Sequence, residues 1–117
     1  MLDFKPSVIF EEFVEGTPLV DRKAWVQLYK EIDRLKREGK PEGRFQYVIK
    51  KGDGIPDLVF DFYLSKSLNQ IFGLAGYLKR KGEPADDVKE AADKAVKFII
   101  LWEVKKGRKH DEHGGKS

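Results

Sequence analysis

Apolar and polar residues alternate with a period of two between Arg44 and Leu64, on both sides of Asp53-Gly54. This period predicts two β-strands, and Asp-Gly between them predicts a hairpin with a two-residue type I′ turn. Counting outward from the turn sets the register, and a slip of one residue would exchange the two faces. The expected pairs are Phe45–Phe62, Tyr47–Phe60 and Ile49–Leu58 on an aromatic face, and Arg44–Tyr63, Gln46–Asp61, Val48–Val59 and Lys50–Asp57 on a polar face.

Helical spacing of apolar residues marks two further segments. The stripe within residues 17–39 predicts one helix. A second stripe predicts a helix over residues 65–82, although Gly73 and Gly76 are poor helix formers. We expect these glycines to allow the close approach of another backbone. The short apolar segment 8–14 fits an edge strand or a short helix, and we favour the strand.

The last predicted helix, residues 86–106, carries two neighbouring apolar seams that widen almost round the helix near its end. Such a helix must be covered on several sides, so we expect self-association into a dimer or tetramer. Residues 97–104 are also rich in β-forming side chains, and a strand remains the alternative there. We expect a single α+β domain over residues 1–106, with a small antiparallel sheet built on a 44–64 hairpin and flanked by helices. The polar, Gly-rich residues 107–117 predict a disordered tail.

Composition narrows the function classes. The absence of cysteine excludes a disulfide framework, a zinc ribbon and thiol catalysis. Abundant Lys and Glu with few thermolabile residues are typical of a thermophile protein. Because the chain has neither a signal peptide nor a long apolar run, we expect a soluble, cytoplasmic protein with no membrane partner.

The positive charge is concentrated on the hairpin and the segment after it. Residues 44–82 hold seven basic and three acidic side chains, whereas the whole chain has a net charge of only +3. An aromatic and basic sheet is one physical solution to binding single-stranded nucleic acid. An ordinary charged, soluble surface is the competing interpretation of the charge.

The polar face of the hairpin is the preferred binding surface, because most of the aromatic face is expected to lie in the core. Lys51 and Lys66 flank the polar face. The hydroxyl of Tyr47 needs either a position at the edge of the sheet or a hydrogen-bond partner. The residues expected to bind nucleic acid are Arg44, Gln46, Tyr47, Lys50, Lys51, Tyr63 and Lys66.

One enzymatic alternative comes from Asp57, Glu103 and Lys105, whose pattern resembles that of the PD-(D/E)xK nucleases. In those enzymes an acidic pair holds a divalent metal and the lysine stabilises the attacking water. This alternative requires residues 97–104 to be a strand. His110 and His113 have a spacing that could share a metal, but we expect no metal or other cofactor in a Gly-rich tail. A third possibility is a structural or scaffold protein without a nucleic-acid partner.

Three segments together resemble one known family: Gly43 to Lys51, Leu58 to Ser67, and the terminal helix through Ile99 and Trp102. Their layout is similar to that of the ThermoDBP-related proteins, single-stranded DNA-binding proteins of thermophilic archaea that lack the OB-fold. The resemblance implies an antiparallel sheet flanked by helices and a C-terminal helix used for oligomerisation. It also implies sequence-tolerant binding of single-stranded DNA, possibly RNA, without catalysis, so we expect the protein not to be an enzyme.

Overall fold

The structure is a computed structural model that describes residues 1–80 and 86–115, with the side chains of 86 and 108–115 left out. It has the α+β fold expected from the sequence, with helices flanking a small four-stranded sheet. The elements are β1 (Asp3–Pro6), α1 (Val8–Gly16), α2 (Arg22–Glu38), β2 (Gly43–Ile49), β3 (Asp57–Ser65), β4 (Gln70–Lys79) and α3 (Asp86–Gly115). The strand order is β1-β4-β3-β2. The sheet is mixed, because β1 pairs parallel to β4 while the other pairs are antiparallel.

The β2–β3 hairpin has the predicted register, which pairs Arg44 with Tyr63 and Tyr47 with Phe60. The turn type is different from the prediction. The amide of Ile55 donates to the carbonyl of Gly52 at 3.2 Å. Of the two central residues only Gly54 has a positive φ, at 75°. A type I′ turn needs positive φ at both central positions, so that prediction is wrong although the register derived from it is correct.

The predicted second helix, residues 65–82, is wrong: its centre is strand β4. Gly73 and Gly76 do serve close packing, but against aromatic rings rather than another backbone. A Cβ at Gly76 would lie 2.3 Å from Cδ2 of Phe13, and one at Gly73 would lie 3.0 Å from the ring of Phe10. The two glycines therefore let α1 lie directly on β4.

The segment favoured as a strand, residues 8–14, is instead part of helix α1. Ser7 caps it by accepting a hydrogen bond from the amide of Phe10 at 3.1 Å. The Ser7 hydroxyl also donates to the carbonyl of Leu74 at 2.7 Å, which fixes the start of α1 on the sheet. The short edge strand β1 just before it was not predicted.

Helices α1 and α2 cover the aromatic face of the sheet. Helix α2 begins after Asp21, whose carboxylate accepts from the amide of Ala24 at 2.9 Å, and it ends at Gly39 as predicted. Phe60 and Phe62 are fully buried. The core between this face and the two helices is formed mainly by Phe10, Leu28, Ile32, Leu35, Leu58, Phe60, Phe62, Leu64 and Ile71. The aromatic face is therefore core, as the sequence analysis favoured.

Helix α3 lies on the opposite face of the sheet. It confirms the predicted helix over 86–106 and excludes a strand at 97–104. It also continues to Gly115, so the expected disordered tail from residue 107 is helical throughout its described part. Ala92 and Ile99 pack against Leu74 and Ala75 of β4. Within residues 1–80 and 86–115, no helix is long and apolar enough to cross a membrane.

Candidate nucleic-acid interface

The polar face of the sheet carries Arg44, Gln46 and Val48 on β2 and is divided into two parts by helix α3. The part at the Arg44 end lies under α3. The part next to the loop of residues 50–56 is open. Four of the seven predicted binding residues lie in these two parts, Arg44 and Tyr63 in the covered part and Gln46 and Lys50 in the open part. The two parts differ in whether their charged groups form ion pairs.

In the covered part, Arg44 forms two hydrogen bonds with Asp61, Nε to Oδ1 at 3.2 Å and Nη2 to Oδ2 at 2.7 Å. Asp61 is 0% exposed. Arg44 also forms an ion pair with Asp93 of α3. The hydrogen bonds with Asp61 are the main reason that the pKa of the Arg44 guanidinium is raised. Arg44 therefore ties β2, β3 and α3 together, and although the residue is exposed, two carboxylates offset its charge.

Tyr63 was predicted to be an exposed ring for base stacking, but it is packed between the sheet and α3. Its hydroxyl donates to Oε1 of Glu103 at 2.8 Å, and the hydroxyl of Ser65 donates to Oε2 at 2.8 Å. Ser67 extends the same network at 3.5 Å. Burial, followed by the hydrogen bond to Glu103, raises the pKa of Tyr63 to about 12. In this docked arrangement Tyr63 anchors the helix.

The open part of the polar face is a shallow groove of about 700 Å³, which we call the loop-end groove. It is lined by Gln46, Val48, Lys50, Asp57, Val59, Lys79 and Arg80. Val48 is 41% exposed and gives the groove an apolar floor. The amide of Gln46 is fixed by donating to the Tyr77 hydroxyl at 3.0 Å. A second cleft, of about 460 Å³, extends the groove around residues 52–57.

The loop-end groove has an excess of positive charge. Lys50, Lys79 and Arg80 face a single lining carboxylate, that of Asp57. No ion pair joins these three cations to another described side chain. Lys79 and Arg80 are not among the predicted site residues, because the apolar pattern predicts a helix over residues 65–82. The local excess of basic residues was the signal that could have found them.

The other predicted site residues lie apart from the groove. Tyr47 belongs to the core side, where its hydroxyl accepts from Nε2 of Gln27 at 3.1 Å. Lys51 is paired with Oδ2 of Asp21 at 2.6 Å, and this contact lowers the pKa of Asp21. Lys66 follows β3 at the end far from the groove. The length of β3 separates the two ends by roughly 25–30 Å at about 3.3 Å per residue.

The structure does not bring Asp57 and Glu103 of the nuclease alternative together. Glu103 contacts Ser65 at one end of β3, whereas Asp57 begins the strand at the other end. The two carboxylates cannot share a metal ion across the roughly 25–30 Å length of that strand. Glu103 also lies on a helix rather than on the strand that this alternative requires. The described residues contain no group of three or more acidic, His or Cys side chains arranged to hold a metal. The side chains of His110 and His113 lie outside the described part.

The chain matches no known protein family and no curated protein sequence.

Proposed function

We propose that the protein binds single-stranded nucleic acid, DNA and possibly RNA, without sequence preference and without catalysis, through the loop-end groove. The observation that carries the proposal is the placement of Lys50, Lys79 and Arg80 around the exposed Val48. Phosphate groups would contact the three cations, and bases would lie on the apolar floor. The resemblance of the sequence to the ThermoDBP-related proteins points the same way.

The groove favours a single strand over a duplex. Bases can reach the Val48 floor only when they are unpaired, whereas a duplex offers the three cations its phosphates alone. The seven described residues that line the groove include no aromatic ring, and the neighbouring Tyr77, which contacts Gln46, is only 6% exposed, so base stacking contributes little. Affinity then comes mainly from phosphate contacts, and it should fall linearly on a plot of log affinity against log salt concentration.

The test is an anisotropy titration of labelled single-stranded and duplex oligonucleotides over a series of salt concentrations. Lys79→Ala and Arg80→Ala should each weaken single-strand binding and reduce the salt slope by about 0.7, the value of one phosphate contact. Lys30→Ala removes the same charge from an exposed position on α2 and is the matched control. No binding at low salt, a flat salt dependence, or an equal effect of Lys30→Ala would refute the proposal.

The protein also carries a surface suited to self-association. Large apolar side chains on α3 are about half exposed, namely Phe98, Ile100, Leu101, Trp102 and Val104. Exposed apolar side chains grouped along one helix are typical of a protein–protein contact. We infer that α3 of one copy packs on another copy through these residues. Ile99 is buried against the sheet, so a substitution there would test the docking of α3 rather than assembly.

A further inference from the structure

The carboxylate of Glu103 occupies an unusual site. It accepts hydrogen bonds from the hydroxyls of Tyr63 and Ser65 and lies 3.5 Å from that of Ser67. No ion pair links Glu103 to another described side chain. The Glu103 carboxylate is thus held by hydroxyl groups and not by an ion pair within the part of the chain that the structure describes. The same hydroxyl groups can donate to the oxygens of a nucleic-acid phosphate. The anion that fills this site belongs to the protein's own helix.

The last part of α3 makes few contacts with the sheet. Up to Ile99 the helix packs on the sheet through the buried Ala92 and Ile99 and the partly buried Val88, Ala95 and Val96. Beyond Ile99 its described contacts with the sheet are the hydrogen bonds of Glu103, the hydrogen bond from Lys106 to the carbonyl of Ser67, and the half-exposed ring of Trp102 beside Phe72. Helices in proteins are held mainly by the apolar surface they bury, so this last part of α3 is weakly held to the sheet. The ion pair between Arg44 and Asp93 lies toward the start of α3. The segment around Glu103 can therefore leave the sheet while that ion pair stays intact.

We propose that the hydroxyls of Tyr63, Ser65 and Ser67 form a second subsite for the same single-stranded nucleic acid, and that Glu103 occupies it until a phosphate displaces it. This inference rests on the proposed function of the loop-end groove. Displacement of Glu103 also uncovers the rings of Tyr63 and Phe72, the latter of which now packs against Trp102 at 6.2 Å. These rings are the stacking surface that the groove itself lacks.

Helix α3 then competes with nucleic acid for half of the polar face. The apparent affinity of the protein is reduced by the fraction of molecules in which the subsite is closed. Removing the Glu103 carboxylate should raise affinity, although the side chain touches no part of the groove. This direction is opposite to that expected if Glu103 served only to hold a binding-competent fold together.

The experiment compares Glu103→Ala with Glu90→Ala, an exposed carboxylate on the same helix. Both changes remove one negative charge, and both proteins are titrated with the same labelled oligothymidylate at one low salt concentration. We expect Glu103→Ala to bind at least about fivefold more tightly than wild type, and Glu90→Ala to differ little from wild type. Equal effects of the two changes, or weaker binding by a folded Glu103→Ala protein, would overturn the subsite.

Tyr63→Phe, which removes only the hydroxyl, tests whether the subsite contacts the ligand. In wild type the change removes both a contact to Glu103 and a contact to phosphate, so the two effects oppose each other. In the Glu103→Ala background only the phosphate contact remains, and Tyr63→Phe should weaken binding there by about fivefold or more. No weakening in that background would overturn the inference while leaving the groove proposal standing. If wild type binds no oligonucleotide, both proposals fail.

Discussion

Gly76→Ala tests the packing of α1 on β4. The added Cβ would lie 2.3 Å from Cδ2 and 2.7 Å from Cγ of Phe13, whereas carbon atoms pack favourably at about 3.5–4.0 Å. The ring of Phe13 therefore has to move by more than about 1 Å. It packs edge-on against the buried ring of Phe60 at 5.6 Å, so its movement disturbs the core. We expect the free energy of unfolding to fall by about 1–3 kcal/mol, the usual cost of overpacking.

Urea unfolding followed by circular dichroism measures this loss, and the sign of the change is decisive. If residues 65–82 formed the helix that the sequence pattern predicts, Gly76→Ala would stabilise the protein by about 1 kcal/mol. Gly16→Ala is the control, because nothing lies within 4 Å of its added Cβ and little change is expected. Combining Gly76→Ala with Phe13→Ala should cost less than the sum of the two single changes. An unchanged or raised stability of Gly76→Ala would refute this packing.

Three further predictions concern the other face of the sheet. Arg44→Met should lower the free energy of unfolding by about 3–5 kcal/mol in a urea titration, because it leaves the buried Asp61 unpaired; a loss below about 1 kcal/mol would contradict the ion pair. Because the pKa of Tyr63 is raised from 10.0 to about 12, folding favours its neutral hydroxyl, and stability present below pH 10 should decline as pH rises toward 12. Tyr63→Phe should lack this decline, and parallel curves for the two proteins would contradict the burial of the Tyr63 hydroxyl and its hydrogen bond to Glu103. Leu101→Glu should lower the molar mass measured by light scattering, whereas a monomeric wild type would refute self-association through α3.

The strands differ in how well the sequence predicts them, because they differ in burial. β2 is an edge strand with one covered face, so its side chains alternate between more and less exposed positions and the sequence alternates with them. β4 lies between two strands and under helices on both faces, and most of its residues are buried. A continuous apolar run of this kind does not distinguish a strand from a helix, and its residues also fit helical spacing. The wrong helix at 65–82 follows from that ambiguity.

The same error hid part of the candidate site. With β4 taken as a helix, Lys79 and Arg80 could not be placed beside Lys50, although the hairpin register was correct. The ion pair of Arg44 was missed for another reason. The register pairs Arg44 with Tyr63 and Asp61 with Gln46, but the long side chain of Arg44 reaches diagonally to Asp61. A diagonal contact of this kind does not follow from the list of facing pairs.

The cations of the polar face therefore do not all contribute to the salt dependence of binding. Lys50, Lys79 and Arg80 form no ion pair with another side chain that the structure describes, and at about 0.7 per contact they predict a slope near −2 for log affinity against log salt. Arg44 adds nothing to this slope, since the carboxylate of Asp61 neutralises it whether or not α3 is docked. The subsite under Glu103 offers neutral hydroxyls, and Lys106, the cation that contacts the carbonyl of Ser67, belongs to α3 and leaves with it. Glu103→Ala should consequently raise affinity without steepening the salt dependence. A steeper slope in that variant would mean that a released cation, rather than the hydroxyl subsite, accounts for the gain.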